Sequence, residues 1–134
     1  MSKYQNYRQL IKFLKINSPL AYPVSVRRCV MSQSLDGDCQ KWKKKFFIRI
    51  NRDLPENVAI DTLIHEWAHA RAWNHLLDSM NEDERFEDFS HDATWGVAYS
   101  EVYRIYQKMV SESYREDVAE IRDERSICKK KKFK

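Results

Sequence analysis

The sequence Asp61-Thr62-Leu63-Ile64-His65-Glu66-Trp67-Ala68-His69-Ala70 lies within residues 56–76, whose hydrophobic periodicity predicts a long α-helix. His65, Glu66 and His69 fall on one side of this helix. The apolar residues share the opposite arc at 100° per residue: Ile60, Leu63, Ile64, Trp67 and Ala70. The segment therefore has one face for a hydrophobic core and a second face that carries polar side chains.

The polar face contains the pattern His-Glu-x-x-His, whose spacing suits a metal site. Residues i and i+4 on a helix lie one turn apart, so His65 and His69 can bind the same ion. Glu66 projects beside them and can hold a metal-bound water without ligating the metal. Zinc lowers the pKa of that water toward about 7, and the carboxylate takes its proton as it attacks a carbonyl. The alternative is a pair of helical histidines that form only hydrogen bonds.

A catalytic zinc usually has three protein ligands and one open position, so a third ligand is needed. His91 is the first candidate because it begins the next predicted helix in line with an apolar stripe, which points it inward. A capping role is the alternative for His91. Among carboxylates, Glu101 on the same helix ranks second, and Asp78 and Asp92 are near in sequence. His75 is rotated away from the polar face and is not a candidate.

The segments before the motif predict a helix and a small sheet. Residues 4–16 have the periodicity of an amphipathic helix. Residues 24–30 alternate as a strand does, and residues 43–51 predict a second strand. The intervening Leu35-Asp36-Gly37-Asp38 predicts a turn, because Asp-Gly favours a tight reversal. We therefore expect an antiparallel hairpin or part of a small antiparallel sheet.

The segments after the motif predict further helix. Residues 78–92 are strongly acidic and predict a loop, with residues 78–88 its most acidic part. Ser90 has the side chain of a helix N-cap, and the apolar stripe from His91 predicts a helix to about residue 112. Residues 114–127 predict a last short helix. The expected fold class is α+β: an N-terminal helix, a small sheet, and a motif-bearing helix packed against a C-terminal helix.

Composition places the chain among soluble globular proteins. Its 134 residues are 43% hydrophobic and 33% charged, which fits one domain over residues 1–128. No apolar run approaches the ~18 residues of a membrane span, and the polar start does not resemble a signal peptide. Three cysteines, none in a Cys-x-x-Cys pattern, do not suggest a disulfide framework. We expect a reduced, cytoplasmic protein with no membrane partner.

Charge is distributed in blocks. Residues 1–52 carry twelve Lys or Arg and two Asp, whereas residues 53–128 carry seven Lys or Arg and eighteen Asp or Glu. Five lysines follow in residues 129–134, which we expect to be a disordered tail. The basic N-terminal half and Lys129–Lys132 are candidates for contact with DNA phosphates. The alternative is that these lysines only keep the protein soluble.

Two motifs together resemble a known family. The helix motif and the later run His91-Asp92-Ala93-Thr94-Trp95-Gly96 are similar to the SprT-like (Spartan-type) minimal zinc metallopeptidases, most closely the short versions carried by bacteriophages. That family pairs His-Glu-x-x-His with a later His-x-x-x-Trp, which His91 and Trp95 match. The resemblance covers roughly residues 24–110.

The resemblance implies a function and a set of site residues. It implies one Zn²⁺ per chain held by His65, His69 and His91, with Glu66 as general base and a protein or peptide as substrate. It also implies a minimal zincin-like fold, and the host cytoplasm as the location if a phage encodes the chain. Some members cleave proteins crosslinked to DNA, which would suit the basic half of this chain.

Other residues have candidate supporting roles. Tyr99 and Tyr103 lie beside the stripe of the third-ligand helix and are candidates to stabilise an oxyanion, with aromatic packing as the alternative. Trp67 and Trp95 are expected to pack and fix the ligand helices. Trp73 is a candidate to line a groove, with packing as the favoured alternative, and the hairpin edge is a candidate to hold an extended peptide. The alternative function is a non-catalytic, zinc-stabilised module that binds nucleic acid or protein.

Overall fold

A computed structural model describes residues 4–80 and 86–131, with side chains described up to residue 112 except those of Glu87 and Asp88. It has an α+β fold with a three-stranded mixed sheet. The elements in chain order are α1 (Gln5–Asn17), β1 (Val24–Cys29), β2 (Gly37–Trp42), β3 (Lys45–Asn51), α2 (Glu56–Arg71), α3 (His75–Asp78), α4 (Phe86–Ser90) and α5 (Ala93–Lys131). No helix among the described residues is long and apolar enough to cross a membrane.

The central helix is α2, which packs against α5, α1, β2 and β3. The predicted core arc is confirmed, because its five residues are all buried: Ile60, Leu63, Ile64, Trp67 and Ala70. The indole N–H of Trp67 donates to the carbonyl oxygen of Ser18 over 3.0 Å, which ties α2 to the end of α1. Glu66 and His69 on the polar side of α2 are buried as well, whereas His65 is only partly buried.

Helix α2 ends five residues earlier than predicted, at Arg71. The cause is Asn74, whose side chain accepts hydrogen bonds from the backbone N–H groups of Leu76 and Leu77. An Asn in this position caps a new helix, because it satisfies donors that have no partner within the first turn. The chain therefore turns after Arg71 and begins the short α3.

The predicted pairing of the strands is wrong. Strands β1 and β3 are parallel, and the antiparallel partner of β3 is β2, a strand that was not predicted. The strand order is β1-β3-β2, so β2 is an edge strand. The predicted turn at residues 35–38 is also wrong, because Gly37 and Asp38 belong to β2. The reversal occurs instead at Lys43, which has a φ of 56°.

Gly37 is required for close packing rather than for a turn. Its φ is not positive. A Cβ atom there would lie 2.6 Å from the carbonyl oxygen of Arg49 and 2.8 Å from Cγ2 of Thr62 on α2. Glycine therefore allows the start of β2 to approach both β3 and α2.

We expect Gly37→Ala to lower the free energy of unfolding by about 1–3 kcal/mol, because backbone atoms must move to admit the methyl group. Gly96→Ala is the matched control, since a Cβ atom at Gly96 in α5 would meet nothing within 4 Å. Alanine is a better helix former than glycine, so Gly96→Ala should raise stability by up to about 1 kcal/mol. Urea denaturation of both variants measures these changes. Equal losses in the two variants would contradict the close-packing role.

The start of the last helix also differs from the prediction. Ser90 ends α4 and is not an N-cap. The side chain of Asp92 accepts a hydrogen bond from the backbone N–H of Trp95 over 3.0 Å, so Asp92 caps α5. His91 therefore lies in the short link between α4 and α5 rather than within the helix.

The C-terminal predictions are confirmed only in part. The helix predicted to end near residue 112 and the separate helix predicted over 114–127 are one continuous helix, α5. The acidic segment 78–92 contains the helical turns of α4, while its residues 81–85 lie outside the described residues. Residues 129–131 of the predicted disordered tail belong to α5, and its residues 132–134 lie outside the described residues.

Candidate metal centre

Three histidine side chains converge on one point. The Nε2 atom of His69 lies 3.1 Å from that of His65 and 3.1 Å from that of His91, and the third side of the triangle is 3.2 Å. His65 and His69 come from successive turns of α2, and His91 comes from the link before α5. These three residues could hold a metal ion.

The dimensions of this triangle fit a small divalent ion. A tetrahedral Zn²⁺ with Zn–N bonds of ~2.0–2.1 Å places its nitrogen ligands about 3.3 Å apart. Hydrogen bonding between the three rings does not explain the arrangement, because each Nε2 atom of a neutral imidazole offers either a proton or a lone pair. At least two of the three Nε2 atoms must therefore both carry a proton or both carry a lone pair, and two such atoms cannot hydrogen-bond to each other. A shared cation accepts all three lone pairs.

The environment of His69 keeps its ring neutral. Burial is the largest of three effects, with positive charge on His65 and on His91, that together lower the pKa of His69 to about 3. A hydrogen bond to the backbone of Ser90 acts in the opposite direction. At neutral pH this imidazole therefore keeps the lone pair that a metal needs, and the bond to Ser90 orients the ring.

Trp95 forms an aromatic wall against all three histidines. Its ring centroid lies 5.0 Å from that of His65, 5.4 Å from that of His69 and 4.8 Å from that of His91. Its indole N–H also donates to the carbonyl oxygen of His65 over 3.4 Å. Trp95 thus packs as predicted for a residue that holds the ligands in place, whereas Trp67 supports α2 from its other side.

Glu66 is 5% exposed and lines the same cleft as the three histidines. Burial raises the pKa of the Cys39 thiol on β2 well above its usual value, and the negative charges of Glu66 and Asp38 add to this effect. Glu66 is therefore a buried carboxylate in a cleft that the three histidines and Cys39 of the edge strand also line. This is a suitable place for a proton acceptor.

The cleft has a volume of about 680 Å³ and lies between β2 and the polar face of α2. Residues 37–39 of β2 form one wall and residues 58–69 of α2 contribute the other. Trp73 has both of its expected roles, since it lines the cleft and its ring packs 6.0 Å from that of the core residue Phe46. Its indole N–H donates to Asp78 over 2.8 Å. The strand wall was missed because Asp-Gly was interpreted as a turn. The sequence signal for this strand is the apolar Cys39 between the polar Asp38 and Gln40, and in the structure Cys39 is indeed the buried residue of the three.

The two candidate tyrosines have different positions. Tyr99 lines the cleft, and its ring centroid is 6.4 Å from that of His65. Tyr103 stacks behind Tyr99 at a centroid distance of 6.3 Å and does not line the cleft. Of the two predicted oxyanion stabilisers, only Tyr99 is in a position to face a substrate.

The other candidate ligands do not join the cluster. Glu101 is exposed on α5, and His75 is exposed on α3. Asp92 caps α5, and the carboxylate of Asp78 forms an ion pair with Nζ of Lys41 over 2.9 Å. Among the residues whose side chains the structure describes, the group that could hold a metal ion is formed by histidines alone.

The fold and the site together define a small α+β protein with a three-histidine centre in an open cleft. Comparison with protein-family models, curated proteins and solved structures finds no match to this chain. Its assignment to an activity therefore depends on the chemistry of its own residues.

Proposed function

We propose that this chain is a zinc-dependent metallopeptidase of the SprT-like type, with a minimal zincin-like arrangement around α2. The observation that carries the proposal is the meeting of three Nε2 atoms within 3.1–3.2 Å in a cleft that Glu66 also lines. Three imidazoles and a neighbouring carboxylate are the groups that zinc hydrolases use to activate water.

Two features favour a catalytic site over a structural one. Structural zinc sites are closed by four protein ligands, whereas the described residues bring together three. A structural site also has no use for the buried carboxylate of Glu66. Both features argue for an open position where water and substrate bind, and against the non-catalytic module.

We assign the following roles to the site residues. His65, His69 and His91 hold the metal, and bound Zn²⁺ supplies the polarisation of the substrate carbonyl and of the nucleophilic water. Glu66 accepts the proton of that water and transfers it to the leaving amine. The hydroxyl of Tyr99 donates to the developing oxyanion, and Tyr103 packs behind it.

The edge strand suits an extended peptide as substrate. Strand β2 pairs with β3 on one side only, and its residues 37–39 line the cleft. A peptide that adds to such an edge binds through main-chain hydrogen bonds, which require no particular sequence. We therefore propose unfolded protein segments, including those of DNA-associated proteins, as substrates.

Metal removal tests this proposal directly. Protein treated with a chelator and then supplied with zinc should bind one Zn²⁺ per chain by elemental analysis. It should cleave a fluorescent unfolded protein when it holds zinc and lose that activity without it. Equal cleavage by metal-free and metal-loaded protein would overturn the zinc mechanism. Zinc binding without cleavage would overturn the peptidase and support the non-catalytic module.

A further inference from the structure

The position of His91 depends on the part of the chain that precedes it. His65 and His69 are held by α2, whereas His91 comes after the two short helices α3 and α4. Trp73, which precedes α3, and Phe86, which begins α4, both line the cleft. The contacts that hold these two helices in place therefore also decide where the third imidazole lies.

Asp78 at the end of α3 attaches this part of the chain to the sheet. Its two carboxylate oxygens lie 2.9 and 3.0 Å from Nζ of Lys41 on β2. The same carboxylate accepts a hydrogen bond from the indole N–H of Trp73 over 2.8 Å. Asp78 thus joins the edge strand, α3 and the residue that precedes α3.

The ion pair between Asp78 and Lys41 is only partly solvated. The exposed fraction of the side chain is 13% for Lys41 and 40% for Asp78, and Nζ of Lys41 lies 5.1 Å from the centroid of the Tyr22 ring. The hydrogen bonds from Lys41 hold the pKa of Asp78 below its usual value, so the carboxylate is charged at neutral pH. Water and salt screen such a pair less than they screen a fully exposed one, so it can hold α3 against β2.

Trp73 connects Asp78 to α4. Its ring centroid lies 6.0 Å from that of Phe46 on β3 and 5.8 Å from that of Phe86, the first residue of α4. Because the hydrogen bond to Asp78 fixes the direction of the indole plane, it also fixes the surface against which Phe86 packs. The position of α4 therefore depends on Asp78 through Trp73.

The other end of α4 is next to the histidines. Ser90, its last residue, is buried, and its Oγ lies 3.5 Å from Nδ1 of His91. The backbone of Ser90 also forms a hydrogen bond with the ring of His69. A shift of α4 would therefore move His91 relative to His69, and a metal ion needs its nitrogen ligands at fixed distances.

We propose that Asp78 is a positioning residue for the metal centre, which it affects through Trp73 and α4 without binding the ion. This inference rests on the metal centre of the proposed function. With Asp78 paired to Lys41, His91 is already held beside the other two imidazoles before the ion binds. Less conformational entropy is then lost on binding, so the affinity for the metal is higher.

Zinc affinity, measured by competition with a chromophoric chelator, tests the proposal without any substrate. Asp78→Ala should weaken zinc binding about tenfold and Lys41→Met about threefold, the range expected for changes along a set of coupled contacts. The double variant should bind zinc no more weakly than Asp78→Ala alone, because Lys41 acts through Asp78. Circular dichroism checks that every variant is folded.

Two further variants separate positioning from a general loss of stability. Lys41→Arg keeps a cation that can pair with Asp78 and should bind zinc within about twofold of the unmodified protein. Arg49→Met is the matched control, because it removes the cation of another ion pair of the same sheet, the one with Asp38. Its zinc affinity should also stay within about twofold.

Cobalt(II) in place of zinc shows whether Asp78 positions the ligands or is one of them. The visible spectrum of Co²⁺ depends on its ligands and their geometry. At saturating metal, Asp78→Ala should have the spectrum of the unmodified protein, because its three imidazoles are unchanged. A different spectrum would make Asp78 a ligand and overturn the positioning role.

Two other results would overturn this inference alone. The first is zinc binding by the unmodified protein with unchanged affinity in Asp78→Ala, and the second is equal weakening by Arg49→Met. Both leave the proposed peptidase intact. An absence of zinc binding in the unmodified protein would overturn both proposals, whereas zinc binding without cleavage would overturn the peptidase alone.

Discussion

Glu66→Gln should lower the rate of peptide hydrolysis by about 10²–10⁴-fold while the protein still binds one zinc ion per chain. Glutamine has nearly the same shape as glutamate but cannot accept a proton from water at neutral pH. The three histidine ligands are unchanged, so metal binding should persist. The measurement combines a cleavage assay on unfolded protein with elemental analysis of the same preparation.

Asp61→Asn is the matched control for this prediction. Asp61 is a carboxylate on α2 that lines the same cleft, but it is not part of the His-Glu-x-x-His pattern. Its amide variant removes one negative charge from the cleft without removing the proposed base. We expect its cleavage rate to stay within about threefold of the unmodified protein. Wild-type activity in Glu66→Gln would show that another group accepts the proton.

His91→Ala should weaken zinc binding by more than about a hundredfold and abolish cleavage. Loss of a group that merely orients a ligand costs 10–100-fold in metal affinity, so loss of a ligand itself should cost at least as much. His91 is only partly buried, in the link between α4 and α5, so the fold should survive. Competition with a chromophoric chelator measures the affinity, and circular dichroism measures the folding.

Two variants separate the loss of a ligand from the loss of any histidine or carboxylate. His75→Ala removes an exposed histidine outside the cluster and should leave zinc affinity unchanged. Glu101→Gln tests the carboxylate that ranked second as a ligand from sequence, and it should also have no effect. Full zinc affinity in His91→Ala would move the third ligand to a different residue.

Several site predictions came from local sequence patterns, and the structure agrees with them. The spacing of His65 and His69 and the apolar arc opposite them are properties of one helix, so the chain's own periodicity predicts them. His91 was a longer inference, because it rests on the apolar stripe of a second helix. His91 does join the histidine cluster, as predicted. It lies before α5 rather than at the head of that helix, because Asp92 and not Ser90 caps α5.

The strands show where local patterns were insufficient. Alternation correctly predicted β1 and β3, but it carries no information on whether two strands are parallel. The Asp36-Gly37 pair was interpreted as a turn because glycine usually serves that purpose. In the structure, Gly37 instead provides room for Thr62 of α2 and the backbone of Arg49. No residue near Gly37 in sequence signals that contact.

By itself, the sequence determined the helical spacing of the motif, the core arc of α2 and the basic character of the N-terminal half. Each of these depends on residues within a few turns of one another. The tertiary structure alone decided that β2 is an edge strand beside the cleft, that Tyr99 rather than Tyr103 faces it, and that three imidazoles meet within 3.2 Å. The physical reason is that these features require residues far apart in the chain to pack together, and side-chain packing between distant segments has no periodic signature in sequence.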